Sequence, residues 1–310
     1  MIAFIYKQLS DQANQYLTAN LPEGIQAVFR TSLKPDECYP AFMQADFILG
    51  NPPRGWFNTL PPQLKCWHLA SAGFSEYEGM VAPVPVVNMG DFFARPCAET
   101  IVGGVLAFCR GIHTLTKLQS AKDWQGEKVR TSLRLLGDQQ AIVLGAGAIG
   151  LHVKEMLQGF GCTVRMTART NPAADIHSLE ELMAALPQTT LLINTLPGSA
   201  GKYVSADMLN ALPPQAIYAS VGRGETTDEE ALITALNNGK LAGAVLDVTE
   251  EEPLPVNSPL WDMDNVILTQ HTGGGKADEL TGIARQFISN LHHFLKKEPL
   301  ENPVELSRGY

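Results

Sequence analysis

The sequence predicts an α/β protein of two domains built from parallel β/α units, and three observations carry that expectation. Short apolar runs alternate with helix-periodic segments along most of the chain, which is the pattern of parallel β/α units with right-handed crossovers. A Gly-x-Gly-x-x-Gly segment joins one such run to one such helical segment. The chain has 310 residues, enough for two domains of ~150 residues, each able to bury its own core.

Taken in order, Ile2–Tyr6, Ile25–Phe29, Phe47–Leu49, Cys66–Leu69 and Val86–Asn88 read as strands, with proline breaks at Pro52-Pro53, Pro61-Pro62, Pro83 and Pro85. Pro96–Lys117 then reads as one long helix. Pro96 suits a first turn, and Ile101, Val105, Phe108 and Ile112 recur at helical spacing. A second series follows: Ala141–Leu144, Thr163–Met166, Leu191–Thr195, Ile217–Ser220, Ala244–Val248 and Val266–Thr269. Helical segments at Leu151–Phe160, Ser178–Leu186, Ala206–Leu212 and Asp228–Asn238 lie between its members, and Lys276–Lys297 reads as a closing helix. The boundary between the two series falls near Asp91–Glu99.

Composition narrows the function. Hydrophobic residues make up 45% and charged residues 18%, ordinary for a globular enzyme. Lys and Arg total 23 against 32 Asp and Glu, a formal charge of −9, which argues against nucleic-acid binding as the main role. No stretch is apolar for long enough to span a bilayer, and the first residues lack the pattern of a secretion signal. The five cysteines are scattered without C-x-x-C spacing, so neither a disulfide framework nor a metal site is expected, and a reducing cytoplasm is the expected setting.

In Gly145-Ala146-Gly147-Ala148-Ile149-Gly150, each glycine has a steric reason. Gly145 permits the tight turn, Gly147 admits a pyrophosphate against the backbone, and Gly150 lets helix approach strand. The helix N-terminus adds free N–H donors. The next strand runs into Met166-Thr167-Ala168-Arg169-Thr170-Asn171. The acid that would bind a ribose 2′-hydroxyl is missing there. Arg169 and Thr170 stand in its place, and a guanidinium pairs with a 2′-phosphate where a carboxylate would repel it. NADP is therefore expected over NAD, with NAD possible.

Three more segments fall at strand ends of the second series: Ser220–Glu225 with Arg223, Leu246–Leu254 with Asp247 and the acidic run Glu250–Glu252, and Thr269–Gly274 with His271. Ligands bind at the carboxyl ends of such strands. An Arg, a carboxylate and a His are a sufficient set for reducing a 2-oxo acid. Arg anchors and polarises the substrate, His donates a proton to the carbonyl oxygen, and the carboxylate orients the imidazole and favours its protonated form.

With Gly145–Gly150, Arg223-Gly224, Leu246-Asp247-Val248, Glu252-Pro253-Leu254-Pro255, Ser258–Trp261, His271 and the closing Ser307–Tyr310, the sequence resembles the D-isomer-specific 2-hydroxyacid dehydrogenase family. Within it the chain is most similar to the bacterial glyoxylate/hydroxypyruvate reductase A group. The resemblance implies two Rossmann-like domains. A doubly wound cofactor domain, 96–275, is inserted in a flavodoxin-like substrate domain, 1–95 plus 276–310. It implies that Arg223, Glu252 and His271 are catalytic, and that Ala72, Gly73, Arg223 and His271 bind substrate. The cofactor would be lined by Gly145, Gly147, Ala148, Ile149, Gly150, Arg169, Thr170, Leu196, Pro197, Val221, Gly222, Asp247 and Gly273. It also implies a homodimer joined through the cofactor domain and the helix at Pro96–Lys117.

The sequence departs from the family at Gln270, where Pro is usual, at Ser220, where Asn is usual, in the short stretch after Pro197, and at Asn171, where a second basic residue often follows the Arg-Thr pair. The reading is an NADPH-dependent reductase of small 2-oxo acids such as glyoxylate or hydroxypyruvate. Two alternatives remain open from sequence. One is a cofactor-sensing, partner-binding protein of the same fold. The other is a dehydrogenase for another 2-hydroxy acid, with Asn51–Trp56 and Met89–Arg95 shaping the pocket.

Overall fold

The computed structural model describes residues 1–308; Gly309 and Tyr310, the end of the Ser307–Tyr310 segment noted above, lie outside the described residues. The elements in chain order are β1 (Ile2–Ile5), α1 (Asp11–Asn20), β2 (Gln26–Phe29), α2 (Pro35–Phe42), β3 (Phe47–Leu49), β4 (Cys66–His68), β5 (Val86–Val87), α3 (Ala94–Cys109), α4 (Ile112–Ser120) and α5 (Gly126–Arg130). They continue with β6 (Gln140–Leu144), α6 (Ala148–Gly159), β7 (Thr163–Thr167), α7 (Leu179–Ala185), β8 (Leu191–Asn194), α8 (Ala206–Ala211), β9 (Ala216–Ser220), α9 (Glu229–Asn237), β10 (Leu241–Leu246), β11 (Val266–Leu268), α10 (Glu279–Lys296) and β12 (Pro303–Val304). They form two compact units, Met1–Phe92 with Lys276–Tyr310, and Phe93–Gly275.

In the first unit the sheet order is β2-β1-β3-β4-β5-β12. The first five strands are parallel in the flavodoxin-type 2-1-3-4-5 order, and β12 closes the edge antiparallel to β5. The core is aromatic: Phe4, Phe42, Trp67, Phe74 and Tyr77 are fully buried, and Phe57 stacks on Trp67 with centroids 4.2 Å apart. On α10 an apolar stripe of Ile283, Ala284, Phe287, Ile288 and Leu291 is buried, and the helix packs along α1.

In the second unit six parallel strands run in the order β7-β6-β8-β9-β10-β11. A single bridge from Thr167 to Ile176 adds a vestigial strand outside β7, which extends the dinucleotide-binding 3-2-1-4-5-6 order. Both faces are covered. Val143, Ile193, Ala219 and Val245 face one core with residues of α3 and α6, while Ile142, Leu144, Leu192, Tyr218 and Ala244 face the other with residues of α7, α8 and α9. Burial on both faces is why β6, β8, β9 and β10 read as near-continuous apolar runs rather than alternating ones.

The helix expected over Pro96–Lys117 is two helices. Gly111 takes φ +64°, ending α3 and starting α4, and the two axes diverge by 71°. No single helix among the described residues is long and apolar enough to cross a membrane.

Candidate active site

The sheet order of the second unit reverses at β6, so a crevice opens beyond the carboxyl ends of β6 and β8. After β6, Gly145 takes φ +101°, a conformation that a side chain would strain. A Cβ at Gly150 would run into the Gly145 carbonyl oxygen, whereas one at Gly147 would meet nothing within 4 Å. Gly150 therefore sets the helix contact, and Gly147 faces open space at the N-cap of α6. The first N–H groups of α6, at Ala148, Ile149 and Gly150, have no intrahelical acceptor and carry the positive end of the helix dipole. The turn is braced by Gly145 N–H donating to Thr167 Oγ1 at 3.2 Å and by Thr195 Oγ1 donating to the Leu144 carbonyl at 2.8 Å.

Arg169 and Thr170 lie exposed just after β7. Asn171 Nδ2 donates to the Ala146 carbonyl at 2.8 Å, and its Oδ1 accepts from Ala173 N–H at 3.0 Å. The residue that stands in place of the usual second cation thus ties this loop to the glycine turn. Burial pushes the Tyr203 phenol up, while the Arg169 charge opposes that rise.

Beyond β8 and β9 the two strand-end loops pack into one wall, where a Cβ at Gly222 would strike the Leu196 carbonyl. A buried polar network holds this wall and the Arg223 turn together. Asn194 Oδ1 accepts from Leu196 N–H at 3.0 Å, and its Nδ2 donates to Thr226 Oγ1 at 2.7 Å and to Tyr218 Oη at 3.1 Å. Thr226 Oγ1 in turn donates to the Arg223 carbonyl at 2.5 Å. Arg223 is half-buried, and its Nη1 donates to the Gly222 carbonyl at 2.8 Å.

Glu252 and His271 meet, with Oε2 and Nδ1 2.5 Å apart, and the other carboxylate oxygen accepts from Thr249 N–H at 3.1 Å. The pair is partly open, the imidazole side chain 50% and the carboxylate 35% exposed. Both line a cavity of about 430 Å³ together with Leu246, Asp247, Trp261 and Gln270.

Asp247 is buried, and its carboxylate serves the turn that carries His271. Oδ1 accepts from Thr269 Oγ1 at 2.5 Å, from Thr272 N–H at 3.0 Å and from Gly273 N–H at 3.1 Å, while the Asp247 carbonyl accepts from His271 N–H at 2.6 Å. Within that turn Gln270 and His271 are both left-handed, at φ +53° and +55°. The proline usual before the His has φ fixed near −65° and is incompatible with this turn.

Sequence reasoning missed several neighbours, because nothing local marks them. Thr100 Oγ1 donates to the Gly273 carbonyl at 3.2 Å. Cys97 lies within electrostatic reach of Asp247 and Arg223. Burial pushes its thiol up to about 11, with Asp247 adding to the rise and Arg223 opposing it, so it is protonated at neutral pH and a poor nucleophile. Among the described residues no group of three or more His, Cys, Asp or Glu is arranged to hold a metal ion.

Ala72 and Gly73 lie in the first unit, half-buried in the loop after β4. Asn51 Oδ1 accepts from Ala70 N–H at 3.0 Å, and Ser71 Oγ donates to the Gly73 carbonyl at 2.7 Å.

The chain resembles known proteins in sequence and in fold. Residues 102–273 match the family model described as D-isomer specific 2-hydroxyacid dehydrogenase, NAD binding domain. A Corynebacterium melassecola relative described as an uncharacterized protein in the proB 3′ region is 33% identical over 281 residues, 86% of this chain and 90% of the relative. Glyoxylate/hydroxypyruvate reductase A of Salmonella typhi is 38% identical over 176 residues, so the chain spans about half of that relative: 54% of this chain, 55% of the other. A D-isomer specific 2-hydroxyacid dehydrogenase from Xanthobacter autotrophicus Py2, solved with NADPH and MES, superposes with TM-score 0.81 at 30% identity over 100% of this chain and 99% of the other. An NADPH-dependent glyoxylate/hydroxypyruvate reductase from Sinorhizobium meliloti, solved with NADP and sulfate, shares the fold at TM-score 0.84 and 21% identity, over 100% and 99% of the two chains. The chain belongs to the D-isomer-specific 2-hydroxyacid dehydrogenase family. It is an NAD(P)-dependent oxidoreductase with an NAD(P)-binding domain.

Proposed function

We propose that the protein reduces small 2-oxo acids of the glyoxylate and hydroxypyruvate kind to D-2-hydroxy acids, using NADPH. The observation that carries this reading is the 2.5 Å Glu252–His271 contact beyond the carboxyl ends of β10 and β11, in the sheet whose β9 and β6 deliver Arg223 and the glycine turn. The glycine cradle fits a dinucleotide. The α6 N–H groups with Gly147 would hold the pyrophosphate, Arg169 and Thr170 the 2′-phosphate, and Leu196, Pro197, Val221, Gly222, Asp247 and Gly273 the nicotinamide half. When bound, the cofactor supplies a hydride to the substrate carbonyl carbon.

The protein's own residues do the rest. Arg223 pairs with the substrate carboxylate and polarises its carbonyl. In the first unit, Ala72 and Gly73 offer backbone N–H donors suited to a carboxylate. Glu252 occupies Nδ1 of His271, which fixes the ring and leaves Nε2 to give its proton to the carbonyl oxygen. NADPH preference is supported by Arg169 and Thr170 where an acid would stand, and by the NADPH found with the Xanthobacter relative. The first unit is then the substrate domain and the second the cofactor domain. The exposed side chains of Ile112, Leu115, Trp124 and Leu135 support a homodimer formed through the second unit, and five free cysteines support a reducing cytoplasm. The test is oxidation of NADPH and NADH with 2-oxo acids of increasing size. Turnover of glyoxylate and hydroxypyruvate with a higher kcat/KM for NADPH is expected. Preference for NADH, or for a bulky 2-oxo acid, contradicts the finer reading.

A further inference from the structure

We propose that Asn88 is a positioning residue that sets the peptide plane through which Gly73 N–H meets the substrate carboxylate. The inference rests on the carboxylate-binding reading of Ala72 and Gly73 above. Asn88 follows β5 and is 7% exposed. Its Nδ2 donates to the Ala72 carbonyl at 2.6 Å, and its Oδ1 accepts from Gly90 N–H at 2.9 Å. Its backbone is held as well, N–H to the Asn302 carbonyl at 3.1 Å and carbonyl from Gln286 Nε2 at 3.4 Å. Side chain and main chain are therefore fixed from β5, α10 and the segment before β12 together.

The geometry of the peptide group carries the argument. The Ala72–Gly73 peptide is trans, so its carbonyl and its N–H point in opposite directions. Drawing the Ala72 oxygen toward a buried amide turns the Gly73 N–H away from the protein interior. Among the described residues neither the Ala72 nor the Gly73 N–H has a protein acceptor, although both residues are half-buried. Ser71 Oγ, which donates to the Gly73 carbonyl at 2.7 Å, orients the next peptide by the same logic. Asn51 anchors the root of the loop, with Nδ2 donating to Ser71 Oγ at 2.9 Å. An amide suits position 88 because it donates to one carbonyl and accepts from one N–H at once. A carboxylate there keeps the Gly90 bond but sets an oxygen against the Ala72 oxygen.

The test uses Asn88→Asp, which preserves shape but replaces the donor with a charged acceptor, with Asn88→Ala as the second variant, which removes the side-chain bonds without adding charge. For both, KM for glyoxylate should rise roughly 3- to 10-fold, the equivalent of one lost buried hydrogen bond, while KM for NADPH stays within twofold. A purely structural role would not separate the two constants. Hydrogen–deuterium exchange at Met89, whose N–H donates to the Ser71 carbonyl at 3.1 Å, should speed up by a similar factor without substrate. Wild-type turnover, with KM for glyoxylate and exchange unchanged in both variants, overturns this proposal alone. Absence of turnover of any 2-oxo acid by the wild type overturns the carboxylate reading, and this proposal with it.

Discussion

Asp247→Asn tests the turn that carries His271. The carboxylate accepts three short bonds at Oδ1, from Thr269 Oγ1, Thr272 N–H and Gly273 N–H, and Gly273 N–H also approaches Oδ2 at 3.1 Å. An asparagine keeps its oxygen where three donors converge, which turns its NH₂ toward Gly273 N–H. Replacing an ionised acceptor by a neutral one weakens each of three bonds by about 1 kcal/mol. The left-handed Gln270 and His271 each store strain on the order of 1 kcal/mol, which the clamp holds in place. The carboxylate's own burial cost, relieved in the variant, offsets part of the loss. A net destabilisation of about 2–3 kcal/mol follows, with release of the turn and a fall in kcat on the order of 100-fold, because a shift of about 1 Å in a reacting group costs that much. Urea unfolding at pH 7 and steady-state kinetics with saturating NADPH measure both quantities. A variant within about 0.5 kcal/mol of wild type, with kcat within twofold, would show that the clamp does not set the His271 position.

Arg223→Lys should raise the 2-oxo acid KM and lower kcat, since an ammonium cannot reproduce the planar fork; wild-type constants in that variant would exclude the anchoring role. For Arg169→Ala, kcat/KM with NADPH should drop roughly 10- to 100-fold while the value with NADH stays within twofold, and equal losses with both cofactors would deny Arg169 a role in reading the 2′-phosphate. His68 is buried against Phe287, and burial holds its pKa at about 4 against 6.5, despite the Leu69 carbonyl beside Nδ1. The folded imidazole is neutral, so the unfolded chain takes up the proton first. This contribution to stability is complete above pH 6.5 and falls by about 3 kcal/mol as the pH drops to 4. Denaturant melts of wild type and His68→Phe between pH 7 and 4 should differ in their pH dependence by that amount; parallel curves would mean that His68 is already protonated when folded.

The parts of the fold legible in the sequence are those written in local sterics. β6, the glycine turn and α6 follow from three glycines and a run of apolar residues, and the second-unit strands stand out because both faces are buried. α1 was not recognisable because it buries only Ala13 and Leu17, and α2 because Pro40 sits inside it. Two-residue β12 carries no periodicity and pairs only by reaching β5. One glycine, Gly111, divides a helix whose apolar spacing continues across it. At the site, Arg223 and the phosphate turn were visible as strand-end residues. The contact between Glu252 and His271 is not written locally, since Glu250-Glu251-Glu252 alone reads as a solvated acidic turn, and only the Glu-Pro context singled out Glu252. The Asp247 clamp and the bond from Asn88 to Ala72 join residues far apart in sequence through backbone groups, which carry no residue-type signal.

The most direct measurement is single-turnover reduction of glyoxylate by saturating NADPH in wild type and His271→Ala. Loss of positioned proton transfer should slow the chemical step by about 10²–10⁴-fold while NADPH binding is retained. A variant that reduces glyoxylate at the wild-type rate would contradict the proposal that the imidazole held by Glu252 protonates the substrate carbonyl.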